Sequence, residues 1–243
     1  MKDTLWKKYV GRIPSEVEQA LHQFQSKSKT VFHNASWLKM FSDELVYFIY
    51  INEEGKIMAY FIGALTSKYG VKGLHIPAFT HCYSPVFADS LKDTEKQELY
   101  SYLCVMLDEY NVVDFKFQRG QFDPLPFHWA GYQNQVLVTY LLEGSYETFW
   151  STLNKNRVRE IKKIKALVDD GTLKIDTTIS KNDFLRLYAE TAKRGSFEYK
   201  EQDMISLYNH LNAVEHKLMV LYAANKKRWH LATSPTMIPL YIT

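Results

Sequence analysis

Apolar residues recur along this chain in two rhythms that take turns. Ser15 followed by Glu18 has capping-box spacing, and Val17, Leu21 and Phe24 return at helical intervals, which predicts a helix over 15–25. Asn34 suits the cap of a shorter helix that carries Trp37, Leu38 and Phe41 and ends near Asp43. Residues 45–51 (LVYFIYI) are dense in β-formers, 52–56 (NEEGK) read as a turn, and a second apolar run covers 57–66. Lys68-Tyr69-Gly70-Val71 turns the chain again into 73–79, so three consecutive antiparallel strands form a meander. After a loop over 83–90, Leu99, Tyr102, Leu103, Met106 and Tyr110 mark one face of a helix over about 91–110, and 112–118 (VVDFKFQ) alternates as a strand does.

An irregular stretch, 119–134, separates this half from the next and leads into a strand over 135–142. Ser145 then caps a long basic helix reaching about Val168 and ended by Asp169-Asp170-Gly171. A short strand over 172–178 follows. Next come a helix opened by Ser180 and Asp183 with Phe184, Leu187, Tyr188 and Thr191 on one side, a helix marked by Met204, Leu207 and Leu211, and a strand over 217–224. Lys226-Lys227 reads as a turn, and 228–239 keeps neither rhythm and holds two prolines. The expected fold class is α/β with a mixed sheet.

Composition narrows the classes. With 46% hydrophobic and 23% charged residues in 243, the chain has material for a core and lies outside the range of disordered sequences. Its length allows one large domain or two modest ones. A formal charge of +3 does not imply nucleic acid, so an electrostatic partner has to be argued from local clustering. No run of about 18 apolar residues occurs, so no spanning helix is expected. Two cysteines, Cys82 and Cys104, allow at most one disulfide, and the polar opening Met1-Lys-Asp-Thr-Leu-Trp-Lys-Lys is unlike a signal peptide, so a cytoplasmic setting is expected.

The strongest clustering lies in 151–166, where Lys155, Arg157, Arg159, Lys162, Lys163 and Lys165 oppose the single acid Glu160. Lys155, Arg159 and Lys162 or Lys163 share a face, and Leu153, Ile161, Ile164 and Val168 make an apolar stripe. Such a face suits a phosphate-bearing ligand, because Arg offers forked donors and Lys point charges. A solvated helix surface accounts for the same charges. His81-Cys82-Tyr83 has neither metal-ligand spacing nor a nucleophile's setting, so no metal is expected and a structural role explains it. His75, alternating within a strand, faces solvent or a cleft. Arg119-Gly120 follows a strand end, where open α/β sheets hold ligands, although Gly120 serves equally as a turn. The aromatics Trp37, Tyr47, Phe48, Tyr50, Tyr60 and Phe61 read as core packing.

Two helices, a meander and a helix feeding a further strand follow the order of the N-acetyltransferase (GNAT) fold. More specific is the join Asp123-Pro-Leu-Pro-Phe-His-Trp-Ala-Gly-Tyr132, followed by a strand and then Tyr146, Phe149-Trp150, Leu153 and Asn156-Arg157-Val-Arg159-Glu-Ile161-Lys162-Lys163. With Val31-Phe-His-Asn-Ala-Ser-Trp-Leu38 and Gly73-Leu-His-Ile-Pro-Ala-Phe-Thr80, this resembles the FemAB-like proteins, which place two GNAT domains in tandem; the likeness covers about 30–224.

The resemblance implies a first GNAT-like domain over 1–143 and a partial second one over 144–243, with an atypical tail from about 226, as in a member shortened by a frameshift or early stop. It implies acyl or aminoacyl transfer to an amine acceptor, in many members a peptidoglycan precursor of the bacterial cell wall. Acyl-CoA or aminoacyl-tRNA would be the donor, with no cofactor permanently bound. Small-molecule or nucleotide-linked substrates, and tRNA, are the implied partners. Arg157 matches the Arg of the family's Asn-Arg segment, so Lys155, Arg157, Arg159, Lys162 and Lys163 are the implied phosphate or substrate contacts. His81, Cys82, Tyr83 and Arg119 are the implied cleft. No residue stands out as the general base. The Gly-rich turn that holds a GNAT donor's pyrophosphate has no counterpart, since 80–90 contains no glycine. A donor-site-deficient binding or scaffold module of the same fold is therefore the alternative. A basic nucleic-acid binder is a third reading, marked by steep salt dependence. An incomplete second half would leave open strand edges, so a homodimer is expected.

Overall fold

The structure is a computed structural model and describes residues 6–25, 30–117, 123, 125–136, 145–176, 179–213, 218–223 and 229–233. The chain divides into two compact units, Met1–Gln135 and Val136–Thr243. Both are mixed α/β.

In the first unit the elements are β1 (Trp6–Val10), α1 (Ser15–Gln25), a 3₁₀ turn (Val31–His33), α2 (Ala35–Lys39), β2 (Glu44–Ile51), β3 (Ile57–Lys68), β4 (Val71–Leu74), β5 (Val86–Phe87), α3 (Asp93–Leu107), β6 (Val112–Val113) and α4 (Leu125–Trp129). The sheet order is β1-β2-β3-β4-β6, with β5 on β3. All described pairs in it are antiparallel except β4 with β6, which α3 connects as a crossover. Leu45 through Ile49 are all buried, as are Ala59 through Ile62. Both faces of the central strands are thus covered, which explains why 45–51 is continuously apolar rather than alternating. Each fully buried Leu, Ile or Phe there contributes about 1.5–3 kcal/mol. Turn chemistry joins β2 to β3: Asn52 Oδ1 accepts the N–H groups of Glu54 and Lys56, and Gly55 takes φ +78°.

The core is heavily aromatic. Phe24 meets Tyr60 edge-on at 5.5 Å, tying α1 to β3. Tyr100 and Cys104 of α3 and Phe127 of α4 form a buried cluster, against which Phe87, Phe115, Phe117 and Tyr132 pack.

Several features of the first unit depart from the sequence expectations. β1 forms where polar sequence is expected, and only Trp6 of its residues is buried, beside Tyr50. An edge strand with one anchored residue leaves almost no hydrophobic signature. The third strand of the meander ends at Leu74 rather than near 79, since the chain leaves the sheet before Pro77. Inside the stretch expected to be irregular, α4 forms behind Asp123, whose Oδ1 accepts the Leu125 N–H at 3.0 Å.

The second unit contains α5 (Tyr146–Thr152), α6 (Lys155–Asp169), β7 (Leu173–Asp176), α7 (Lys181–Gly195), α8 (Glu201–Ala213), β8 (Leu218–Ala223) and β9 (Trp229–Thr233). β7-β8-β9 is an antiparallel sheet. One long helix was expected from Ser145, but Leu153 is extended (ψ 135°) and Asn154 caps a new helix, its side chain accepting the Arg157 N–H. An Asx residue inside a basic run acts on the backbone there, and periodicity cannot register that. β9 falls in the stretch where no rhythm was legible, held by pairing with β8. Among the described residues the buried side chains are Phe184, Leu187, Tyr188 and Ala192 of α7 with Met204, Leu207 and Leu211 of α8. The expected strand over 135–142 lies mostly outside the described residues.

Among the described residues no helix is long and apolar enough to cross a membrane.

Candidate functional site

Open α/β sheets bind ligands beyond the carboxyl ends of their parallel strands, where neighbouring strands part. β4 and β6 part early. They pair at Gly73↔Val112 and Leu74↔Val113 only. Asn111 fixes the start of the pair, its Oδ1 accepting the Lys72 N–H and its own N–H donating to the Lys72 carbonyl, both at 2.9 Å. The last bond is Asp114 N–H to the Leu74 carbonyl. Beyond it, His75 N–H still donates to the Ala64 carbonyl of β3 at 3.2 Å; the chain then leaves the sheet and rejoins β3 at Val86↔Tyr60.

His75 and Asp114 are the first residues past the paired stretch on each strand. His75 Nδ1 lies 2.9 Å from Asp114 Oδ2, with both side chains about half exposed. A carboxylate only accepts, so the bond requires the hydrogen on Nδ1, and in the neutral ring Nε2 keeps its lone pair. The ring folds back over Gly73, where an added Cβ would stand 2.5 Å from Nε2. Glycine at 73 therefore makes room for this ring position. Sequence reasoning named His75 only as facing solvent or a cleft and passed over Asp114. The one local signal is an acid set into the apolar, aromatic run Val112-Val-Asp-Phe-Lys-Phe.

The segment His81 to Tyr83 lies across the mouth of this parting. Tyr83 and Lys116 exchange two backbone hydrogen bonds, at 2.8 and 2.7 Å. Tyr83 is 1% exposed, accepts the Ala64 N–H at its hydroxyl (2.6 Å) and meets Phe61 edge-on. It is a core residue, not a cleft wall. His81 is half-buried against Phe32, and burial together with Lys116 pushes its pKa down. Burial pushes the Cys82 thiol up, against a smaller opposing effect of Lys116, so the thiol stays protonated and poorly nucleophilic at neutral pH. Phe79 adopts φ +57°, an uncommon state for a bulky side chain, and its ring packs on Phe41. Trp37 Nε1–H donates to Thr80 Oγ1 at 3.1 Å and anchors the same excursion.

Behind it, His33 is buried with Nε2 3.4 Å from Ser84 Oγ. Burial lowers its pKa to about 4, so it is neutral at physiological pH. The crevice between His33, Leu38, Tyr60, Phe61 and Tyr83 has no room for a water molecule.

The five cationic candidates of the second unit all lie on α6 and are exposed. Arg157 Nη1 donates to Glu160 Oε2 at 2.9 Å, an exposed pair one turn apart. No residue of α6 is buried, and on its apolar stripe Ile164 is 45% exposed. Arg119 lies outside the described residues. Among the described residues no group of three or more His, Cys, Asp or Glu is placed to hold a metal ion.

No protein-family model matches this chain, and no curated protein matches it.

Proposed function

We propose that this chain is an acyl- or aminoacyltransferase-like protein of the GNAT, FemAB-like kind, acting on an amine acceptor. The reading is carried by one observation: β4 and β6, the parallel pair of the first sheet, separate after two residue pairs and leave a polar pair, His75 and Asp114, at the parting. That is where an extended donor gains backbone hydrogen bonds from a sheet and where an incoming amine meets an ionisable group. The chemistry asks little of side chains. A thioester or ester donor is already activated, so juxtaposition of amine and carbonyl, removal of one proton and backbone donors for the oxyanion suffice. In the second unit, Lys155, Arg159, Lys162 and Lys163 would supply charge for a phosphate-bearing substrate, and Arg157 would do so on exchanging Glu160 for the ligand.

One observation favours the alternative of a donor-site-deficient binding module. Tyr83 spans from Lys116 to Ala64 beside the parting, over a crevice without space for water. Thermal shift of the full chain separates the two. The transferase reading expects stabilisation by acetyl-CoA or an aminoacyl-tRNA. A response to a nucleotide-linked peptide alone establishes the binding module. The nucleic-acid reading expects affinity for RNA that falls steeply with salt and with Lys163→Ala, and a flat salt response rejects it.

A further inference from the structure

We propose that His75 is the general base of the amine-acylating site and that Asp114 is its positioning residue; the inference rests on the transferase reading above. Three independent features converge on the ring. Asp114, at 2.9 Å from Nδ1, holds the tautomer in which Nε2 is the free base. Gly73 vacates the space that Nε2 occupies, since any side chain there would strike the ring. Both strands are fixed just upstream by the Asn111–Lys72 clamp and the bond from Asp114 N–H to the Leu74 carbonyl, so the two groups are held by the sheet and not by a free loop. Two other polar groups around the excursion are poorly suited to the role. His33 is buried and Cys82 is held as the thiol.

The step balances without any further reactant. As the N–C bond forms between the amine and the acyl carbonyl carbon, the Nε2 lone pair takes the proton that the amine nitrogen loses. The C–O or C–S bond of the donor ester or thioester then breaks, and the imidazolium returns that proton to the departing alcohol or thiol. The Asp114 carboxylate, on the Nδ1 side, stabilises the transient imidazolium.

The test uses the full chain, p-nitrophenyl acetate as donor and glycylglycine as amine, with nitrophenolate release and acetyl-glycylglycine both followed. His75→Ala is expected to lower protein-dependent aminolysis about a hundredfold, the usual range for general base catalysis, and added imidazole to restore it. Gly73→Ala keeps both groups but displaces the ring, and should lower the rate with the melting temperature preserved. In parallel, 15N-detected NMR of the imidazole reads the tautomer: Nδ1–H in the parent and a swing toward Nε2–H in Asp114→Ala. An Nε2–H tautomer in the parent overturns the inference, as does a His75→Ala rate equal to the parent's, and in that second case the transferase reading stands. Absence of protein-dependent aminolysis together with absence of any donor-induced thermal shift overturns the reading, and the inference with it.

Discussion

The Tyr83 hydroxyl accepts the backbone N–H of Ala64 at 2.6 Å, past the last β3–β4 residue pair, Leu65↔Leu74, and before β3 pairs with β5. A side chain thus replaces a strand. Tyr83→Phe keeps the ring's contact with Phe61 and removes the acceptor, leaving a buried amide unsatisfied. It should cost about 1–3 kcal/mol, read as a lower urea midpoint at unchanged slope. An unchanged midpoint would show that Ala64 finds another partner.

His33 makes the fold acid-sensitive. Its folded pKa of about 4 lies below the ordinary 6.5, so between these pH values the unfolded chain binds a proton that the folded chain refuses. The sign follows: stability from this group is full above about pH 6.5, falls as pH drops toward 4, and changes no further below that. The loss over the window is about 3 kcal/mol. His33→Gln should flatten the dependence of unfolding free energy on pH in that interval, and persistence of the parent's slope would assign the sensitivity to other groups.

Gly63 is required by close packing. A Cβ there would stand 2.8 and 2.9 Å from the two methyl carbons of Leu74, a fully buried side chain with nowhere to retreat. Gly63→Ala should therefore destabilise by about 1–3 kcal/mol, as overpacking does, and thermal unfolding measures it. A neutral result would mean that β4 shifts readily beside β3.

Asn154 separates two helices that the sequence runs together. Its Oδ1 takes the Arg157 N–H at 2.9 Å, so Asn154→Ala should weaken the start of α6 by about 1 kcal/mol. Hydrogen exchange should then quicken at the Arg157 amide and leave the amides of β2 and β3 unchanged. Uniform protection in both proteins would contradict a capping role.

Where local chemistry is strong, sequence and structure agree residue for residue. α1 runs from Ser15 to Gln25 as its apolar spacing requires, and α7 starts after Ser180, whose side chain accepts the Asp183 N–H. β2 and β3 are legible because their burial is nearly complete. β1 and β9 are not, since one exposes most of its residues and the other lies in a run without period, and both are strands by virtue of their neighbours. The charges of α6 were visible as charges, while the commitment of Arg157 to Glu160 was not.

By itself, then, the order of amino acids determined the periodic elements, the mixed α/β class and the basic run, because each follows from interactions within a few residues of chain. Only the tertiary structure decided that Leu74 and Val113 end their pairing together. That ending brings His75 and Asp114, separated by 39 positions, into one hydrogen bond, and it sends Tyr83 inward instead of toward a ligand. The physical reason is that the sites where two strands part depend on backbone pairing summed over both and on close packing such as Leu74 against the bare backbone of Gly63, and no local pattern encodes a sum over distant segments.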